Sequence, residues 1–284
     1  MRARLAPYLL VLPGGVWLAI FFVIPMIYML SVSLMTGNVI DGFELTFHFS
    51  TYTKALGLYH DQLIRSLVYG LVATALCIGI AYPMAYWIAF RGGNRKSTYL
   101  FMILLPFFVS FVLRTISWQF FLSDNGIVLG TLKTWHLLPA DASVLATAPA
   151  VILGLTYNFL PFMVLPIYVA LERVDHSLVE ASYDLYANRV QGFLRVVFPL
   201  SLPGVFAGVL MTFVPASSDY VNASVLGGPE NTMIGNVIQN QYFVSSDYPT
   251  AAALSFILMA VLLLGIFAYA RSLGTEDVLE AAAG

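Results

Sequence analysis

The chain has 284 residues, 60% of them hydrophobic and 10% charged, with a formal net charge of −2. A soluble domain is about one quarter charged, so this balance excludes an ordinary globular protein, and without a long basic run it excludes a nucleic-acid binder. A mean hydropathy of +0.84 points to an all-α integral membrane protein, with room for about six spans of roughly 20 residues each.

In chain order, six apolar runs are expected to cross the bilayer: 8–33, 66–90, 98–122, 148–171, 200–220 and 251–271. The first follows "MRAR" and is read as an uncleaved anchor, being too long for a signal peptide and lacking a small-x-small cleavage site. The second holds Cys77, the single cysteine, so no internal disulfide forms; in "GLVATALCIGIAY" it reads as a buried, inert thiol. The third carries Arg114 in "SFVLRTISWQF", roughly eight residues or ~12 Å from the outer end of the run. A lipid-facing arginine there costs several kcal/mol, so Arg114 is expected to face the bundle interior. Two readings stay open for it: a structural ion pair or carbonyl clamp, or a gate in a solute pathway.

The fourth run contains Pro161 and Pro166, expected to kink it. Gly204 and Gly208 open the fifth in a G-x-x-x-G spacing that suits close helix contact. Its outer end, "VPASSDYVNASVLGG", reads as a broken helix lining a cavity, with Asp219 as a candidate pathway residue. Arg114 and Asp219 fall at similar depth, which suggests a latch between them. Trp118, Tyr157, Tyr220 and Tyr242 are candidates for stacking on cations, against the plainer reading of an interfacial aromatic belt. The last residues, "TEDVLEAAAG", read as a solvated tail.

The distribution of Lys and Arg orients the chain. With both termini cytoplasmic, the inner segments hold Arg2, Arg4, Arg91, Arg95, Lys96, Arg173, Arg189, Arg195 and Arg271 out of 13 basic residues. The outer loops, about 34–65, 123–147 and 221–250, hold only Lys54 and Lys133, with Arg65 at a span edge. The turn "RGGNRK" is the clearest inner marker. This orientation places the loop 172–199 in the cytoplasm. His48, His60, His136 and His176 lack metal-ligand spacing, and no P-loop sequence occurs.

Within that loop, Val179, Ala181, Ser182 and Leu185 are expected to make short apolar contacts, with Glu180 and Asp184 on one side at i, i+4. A second piece, Val190 to Phe198, presents Phe193, Val196 and Val197 on one face and Arg189 and Arg195 to the headgroups. The "YAN" between them reads as a bend at Asn188, a residue that tolerates the left-handed conformation. Pro199 and Pro203 are expected to mark where this helix stops and the next span starts. The segment reads either as an interfacial loop or as a docking element for a soluble partner.

The run "EASYDLYAN…GFLRVVFPLSLPG" resembles the EAA loop of the membrane subunits of binding-protein-dependent ABC importers. Glu180, Ala181, Ala187, Phe193, Pro199, Pro203 and Gly204 match the pattern. Ser182 stands for its second alanine and Tyr186 for its glycine, so either Asn188 supplies the bend or this coupling helix packs differently. "LLPFFVSFVLRTISWQFFL", "GLTYNFLPFMVLPIYVALERVD" and "LGGPENTMIGNVIQNQYF" extend the similarity to the spermidine/putrescine permease subunits; relatives with this skeleton carry iron, sulfate or thiamine. The resemblance also covers the acidic–aromatic–Val run Asp219, Tyr220 and Val221.

The resemblance implies a type I ABC importer permease fold in a bacterial cytoplasmic (inner) membrane. Its implied partners are a second permease subunit, two ATPase subunits and an extracytoplasmic solute-binding protein. ATP and magnesium would sit on the ATPase, with no cofactor in this chain, and Glu180, Ala181, Ser182, Asp184, Tyr186, Ala187 and Asn188 would couple to it. A stand-alone secondary transporter would need coupling carboxylates in the spans, where only Asp219 is available, and the absence of an internal repeat weakens it further. A membrane-embedded enzyme would need paired acids, histidines or a nucleophile set, none of which the sequence displays.

Overall fold

An apolar segment in lipid has no water for its amides, so each must close its hydrogen bonds along its own axis, and the helix is the local solution. The computed structural model describes residues 11–136, 139 and 142–272. Arg2, Arg4 and the C-terminal tail lie outside the described residues.

The elements in chain order are α1 (Val11–Ser33), a hairpin of β1 (Met35–Asn38) and β2 (Gly42–Leu45), and α2 (Ser50–Arg91). Then come α3 (Lys96–Leu104), which tightens into a 3-10 turn over Leu105–Phe108, α4 (Phe111–Leu122), α5 (Ile127–Thr134) and α6 (Ala148–Glu172). They are followed by α7 (His176–Asp184), α8 (Arg189–Ser218), α9 (Val221–Leu226), α10 (Ile234–Phe243) and α11 (Tyr248–Ser272). Among the described residues, five helices are long and apolar enough to span a membrane, and the pair α3–α4/α5 makes a sixth crossing if taken as one.

Three expectations are corrected. The run 98–122 is not one straight span, because the chain bends by 90° between Phe108 and Phe111. Pro106 has no N–H to give and its ring crowds the carbonyl four residues back, so the helix tightens and then opens at Val109 and Ser110, both extended. The depth assigned to Arg114 by counting along a straight axis therefore does not apply. The region 34–65 is not all loop: after the hairpin, α2 begins at Ser50, sixteen residues before the expected start of the span, and changes direction at Tyr59 (φ −121°, ψ 18°).

The third correction concerns the prolines. Pro199 and Pro203 do not separate two helices; α8 runs unbroken from Arg189 to Ser218. A π turn at Phe193–Val197 widens the helix just before Pro199, which relieves the clash a proline ring makes with the preceding turn. α6 contains Pro161 and Pro166 within one continuous helix.

The chain divides into two compact units, Met1–His60 with Val237–Val261 and Asp61–Asn236 with Leu262–Gly284. In the first, the large apolar side chains of α1 are exposed, from Val11 to Leu30, a surface suited to lipid or to another chain. The hairpin turn is closed by Asn38, whose Oδ1 accepts from the amides of Ile40 (2.9 Å) and Asp41 (2.8 Å).

The second unit is built around the contact of α6 with α8. Gly204 and Gly208 bring the two backbones together: a Cβ on Gly204 would lie 2.5 Å from both Ala170 Cβ and the Pro166 carbonyl, and one on Gly208 would lie 2.6 Å from Met163 Sδ. The G-x-x-x-G expectation holds in its physical sense. Two apolar clusters flank this seam. One gathers Tyr69, Leu155, Phe159, Leu226 and Met233, and the other Cys77, Ala81, Met163, Ile167 and Val197, with Cys77 buried as expected. Lys96 pairs with both carboxylate oxygens of Glu172 (3.0 and 2.9 Å), which brings the basic turn and the C-terminus of α6 to the same end of the unit.

Candidate functional site

Two regions of the second unit carry the residues singled out in the sequence. The first is the α7–α8 elbow. Asp175 caps α7 by accepting from the Ser177 amide at 2.9 Å, a hydrogen bond that holds its carboxyl below the usual range. α7 then ends in a Schellman motif: the Tyr186 amide donates to the Tyr183 carbonyl (2.9 Å) and the Ala187 amide to the Ser182 carbonyl (3.0 Å). The residue in the left-handed position is Tyr186 itself, at φ +62°.

Asn188 does not supply the bend. It is extended (φ −75°, ψ 169°) and caps α8 in a reciprocal box with Gln191: its Oδ1 accepts from the Gln191 amide (2.9 Å), and its own amide donates to Gln191 Oε1 (3.0 Å). The chain thus keeps the geometry a glycine would give and accepts the cost of a side chain there. Tyr186→Gly is expected to stabilise the elbow by about 1 kcal/mol, read as roughly fivefold slower exchange of the amides at 186 and 187. Unchanged or faster exchange would show that the tyrosine costs nothing in place.

The faces of α7 differ from the expectation at two positions. Val179 and Ser182 turn inward, Ser182 lying against Gly192, where a Cβ would stand 3.0 Å from its Oγ. Ala181 and Leu185 point out with Glu180 and Asp184. At Gly192 the side of α7 that carries Ser182 comes closest, with the Tyr183 ring beside it at 3.2 Å from the same Cβ position. Leu185 is 81% exposed and Tyr186 99%, an apolar tip beside two carboxylates. Ala187 is half-buried. Beneath the elbow, Phe193 packs edge-on against Tyr82 (5.7 Å) and Tyr86 (5.6 Å), and His176 against Phe90 (5.0 Å), so the elbow is keyed to the end of α2.

The second region lies where α4, α6 and α9 meet. Asp219 Oδ1 accepts from the Asn222 amide (2.7 Å) and from Asn222 Nδ2 (3.2 Å). Asn222 Oδ1 accepts in turn from Asn158 Nδ2 (3.0 Å) and Thr115 Oγ1 (3.3 Å), and Asn158 Nδ2 also reaches Thr115 Oγ1 at 3.1 Å. All four side chains are buried. Thr115, Asn158 and Asn222 were not singled out in the sequence; an asparagine inside "GLTYNFLPF", an otherwise apolar run, was the signal.

Arg114, one residue from Thr115, is buried and stands over aromatic faces, its guanidinium 4.5 Å from the centre of Phe107 and 5.7 Å from that of Phe111. Its Nε and Nη1 have no hydrogen-bond partner among the described residues. The expected Arg114–Asp219 latch is absent: among the described residues Arg114 makes no ion pair, and Asp219 is engaged by Asn222. Helix geometry explains this, since the break before Phe111 places Arg114 in the first turn of α4, beside Phe107. Trp118, one turn on, packs edge-on against Tyr157 at 5.4 Å. Tyr220 is 46% exposed and its side chain does not join the network, although its carbonyl accepts from Asn236 (2.8 Å).

The family model described as the binding-protein-dependent transport system inner membrane component matches residues 78–272, from α2 to the end of α11 and including both regions. The chain belongs to this family. As an inner-membrane transport component it is similar to the spermidine/putrescine transport system permease protein PotB of Haemophilus influenzae, 35% identical over 257 residues that cover 90% of each chain. The protein of the same name from Escherichia coli is 34% identical over 90% of this chain and 94% of its own. In fold, this inner-membrane component is similar to a chain of a bacterial ABC transporter involved in import of the acidic polysaccharide alginate. That similarity has a TM-score of 0.71 and 20% identity, and covers 97% of this chain and 96% of the other. The protein is therefore a multi-pass inner-membrane permease subunit of the importer class, and the elbow and the buried network are parts of such a subunit.

Proposed function

We propose that this chain forms half of the translocation pathway of an ATP-driven polyamine importer and takes its drive from separate ATPase subunits through the 179–204 elbow. The names of the two PotB relatives support spermidine or putrescine as the solute. The carrying observation for coupling is the exposed tip of α7: Glu180, Asp184, Leu185 and Tyr186 project together from an elbow keyed by Phe193 and His176 to α2. An apolar knob beside carboxylates suits a groove rimmed with basic groups, and the Tyr82, Tyr86 and Phe90 contacts give a push on the elbow a stiff route into a spanning helix.

In this reading both termini and the elbow are cytoplasmic, the solute arrives from an extracytoplasmic binding protein, and a second permease subunit supplies the other half of the path. ATP and magnesium are held by the ATPase. Arg114, Trp118, Tyr157, Asp219 and Tyr220 remain the pathway candidates, with Arg114 acting as a resident cation over Phe107 rather than as the partner of Asp219.

The test is co-purification of the ATPase with the reconstituted importer and uptake of spermidine into vesicles. Glu180→Ala is expected to lower ATPase recovery about tenfold, as loss of one anchor at a docking surface does, and to reduce uptake with it. Full transport by that variant would reject the elbow as the coupling element. Transport of another solute but not of spermidine or putrescine would reject the cargo while leaving the coupling intact.

A further inference from the structure

A groove of ≈ 450 Å³ opens on the second unit between the last turns of the α2 span and the length of α3 from Tyr99 to Ile103. It is lined by Met84, Trp87 and Ile88 from α2 and by Tyr99, Met102 and Ile103 from α3. Trp87 and Tyr99 meet edge-on at 5.0 Å, Trp87 is 45% exposed and Met102 61%, so the groove faces outward. Its lining has almost nothing to hydrogen-bond a polar solute. It is suited to an alkyl chain.

The basic turn lies at one end of this groove. Arg91 follows Trp87 by one turn on α2, and Arg95, in the turn before α3, and Lys96, its first residue, precede Tyr99 by about one turn, so all three residues fall at the same end of the groove. Gly92 holds that turn tight, since a Cβ there would lie 2.4 Å from the Ile88 carbonyl and 2.8 Å from Lys96 Cγ. Lys96 is engaged with Glu172, but Arg91 and Arg95 are exposed and make no ion pair among the described residues. Two guanidinium groups unpaired among the described residues, one turn beyond an apolar cleft that a tryptophan and a tyrosine line, match an anionic phospholipid: phosphate at the arginines, one acyl chain between α2 and α3.

We propose that this groove is a binding site for an anionic phospholipid of the leaflet facing the basic turn. The site clamps α2, which carries the aromatic contacts of the elbow, to α3, which leads into the broken crossing. It makes no use of the solute and stands whatever the importer carries.

The test uses the full chain assembled with its partners in vesicles that contain either phosphatidylglycerol or phosphatidylcholine with a photoactivatable acyl chain. Labelled peptides are then mapped by mass spectrometry. Phosphatidylglycerol is expected to label the Trp87 and Tyr99 peptides about tenfold more than phosphatidylcholine does, the order of preference two basic groups confer at a membrane surface. Arg91→Gln with Arg95→Gln should bring that ratio close to one while the label on α1, whose apolar side chains are exposed, is unchanged. Neither arginine side chain makes a hydrogen bond or ion pair among the described residues, so the double variant is expected to fold. Ile103→Trp should fill the groove and remove label by both lipids at the same peptides. Equal labelling by the two headgroups in the unaltered protein would overturn the proposal. So would labelling seen in the isolated chain but lost in the assembled importer, because the groove would then be covered by a protein partner.

Discussion

Asn222→Leu is expected to be among the most damaging single replacements in this protein. The side chain is fully buried and its amide is the hub of the α4–α6–α9 contact, accepting from Asn158 and Thr115 while donating to Asp219. Hydrogen bonds between spanning helices are worth about 0.6 kcal/mol each on average, so the three lost bonds amount to only ~2 kcal/mol. The larger effect is what remains. Asn158 Oδ1 already has no partner among the described residues, and the replacement strips one bond each from the buried Asn158 Nδ2, Thr115 Oγ1 and Asp219. A loss of about 3–5 kcal/mol is expected, seen as failure of the purified importer to survive mild heating, with uptake falling in parallel.

A second variant separates structure from transport. Replacing Asn222 together with its partners on α4 and α6, Thr115→Val, Asn158→Leu and Asn222→Leu, removes those donors and acceptors at once and should recover part of the stability, because Asp219 keeps the Asn222 backbone amide and the other two helices present an apolar contact. If uptake stays lost when stability returns, the network serves the pathway. If uptake returns as well, it serves only to hold α4, α6 and α9 in register.

Gly204→Leu should prevent the second unit from forming its seam. Even a single methyl at this position meets Ala170 Cβ and the Pro166 carbonyl at 2.5 Å, and the carbonyl belongs to a backbone that has no rotamer to change. The helices must separate or slide, and the Met163 contact at Gly208, one turn away, is lost with it. Overpacking by one carbon costs about 1–3 kcal/mol, and a leucine adds three more to a contact that cannot yield. Gly204→Ala should give a protein that assembles with a lowered melting temperature, and Gly204→Leu one that does not accumulate in the membrane, read by immunodetection of the tagged chain. Normal accumulation of the leucine variant would mean that the α6–α8 approach is not needed for the fold.

Much of this was legible along the chain. The apolar runs, the buried Cys77, the G-x-x-x-G contact and the polar elbow all follow from composition and period, since each depends on residues within a turn or two of one another. The elbow's bend was misplaced at Asn188 for a specific reason: an asparagine tolerates both the left-handed position and the cap, and local preference alone does not choose. The Schellman bonds to Tyr183 and Ser182 assign the bend to Tyr186, and the box with Gln191 assigns the cap to Asn188. Pro199 misled in the other direction, because the π turn that accommodates it has no mark in the residue types.

The residues by themselves determined that this is a membrane chain of helical spans with a polar elbow, because transfer of apolar side chains out of water and closure of amides within a helix are properties of short segments. Tertiary structure alone decided that Arg114 rests on Phe107 and Phe111 instead of Asp219, and that Asp219 joins Thr115, Asn158 and Asn222. Those partners come from α4, α6 and α9, far apart in the chain, and the direction of each side chain depends on a 90° break whose angle no local preference sets.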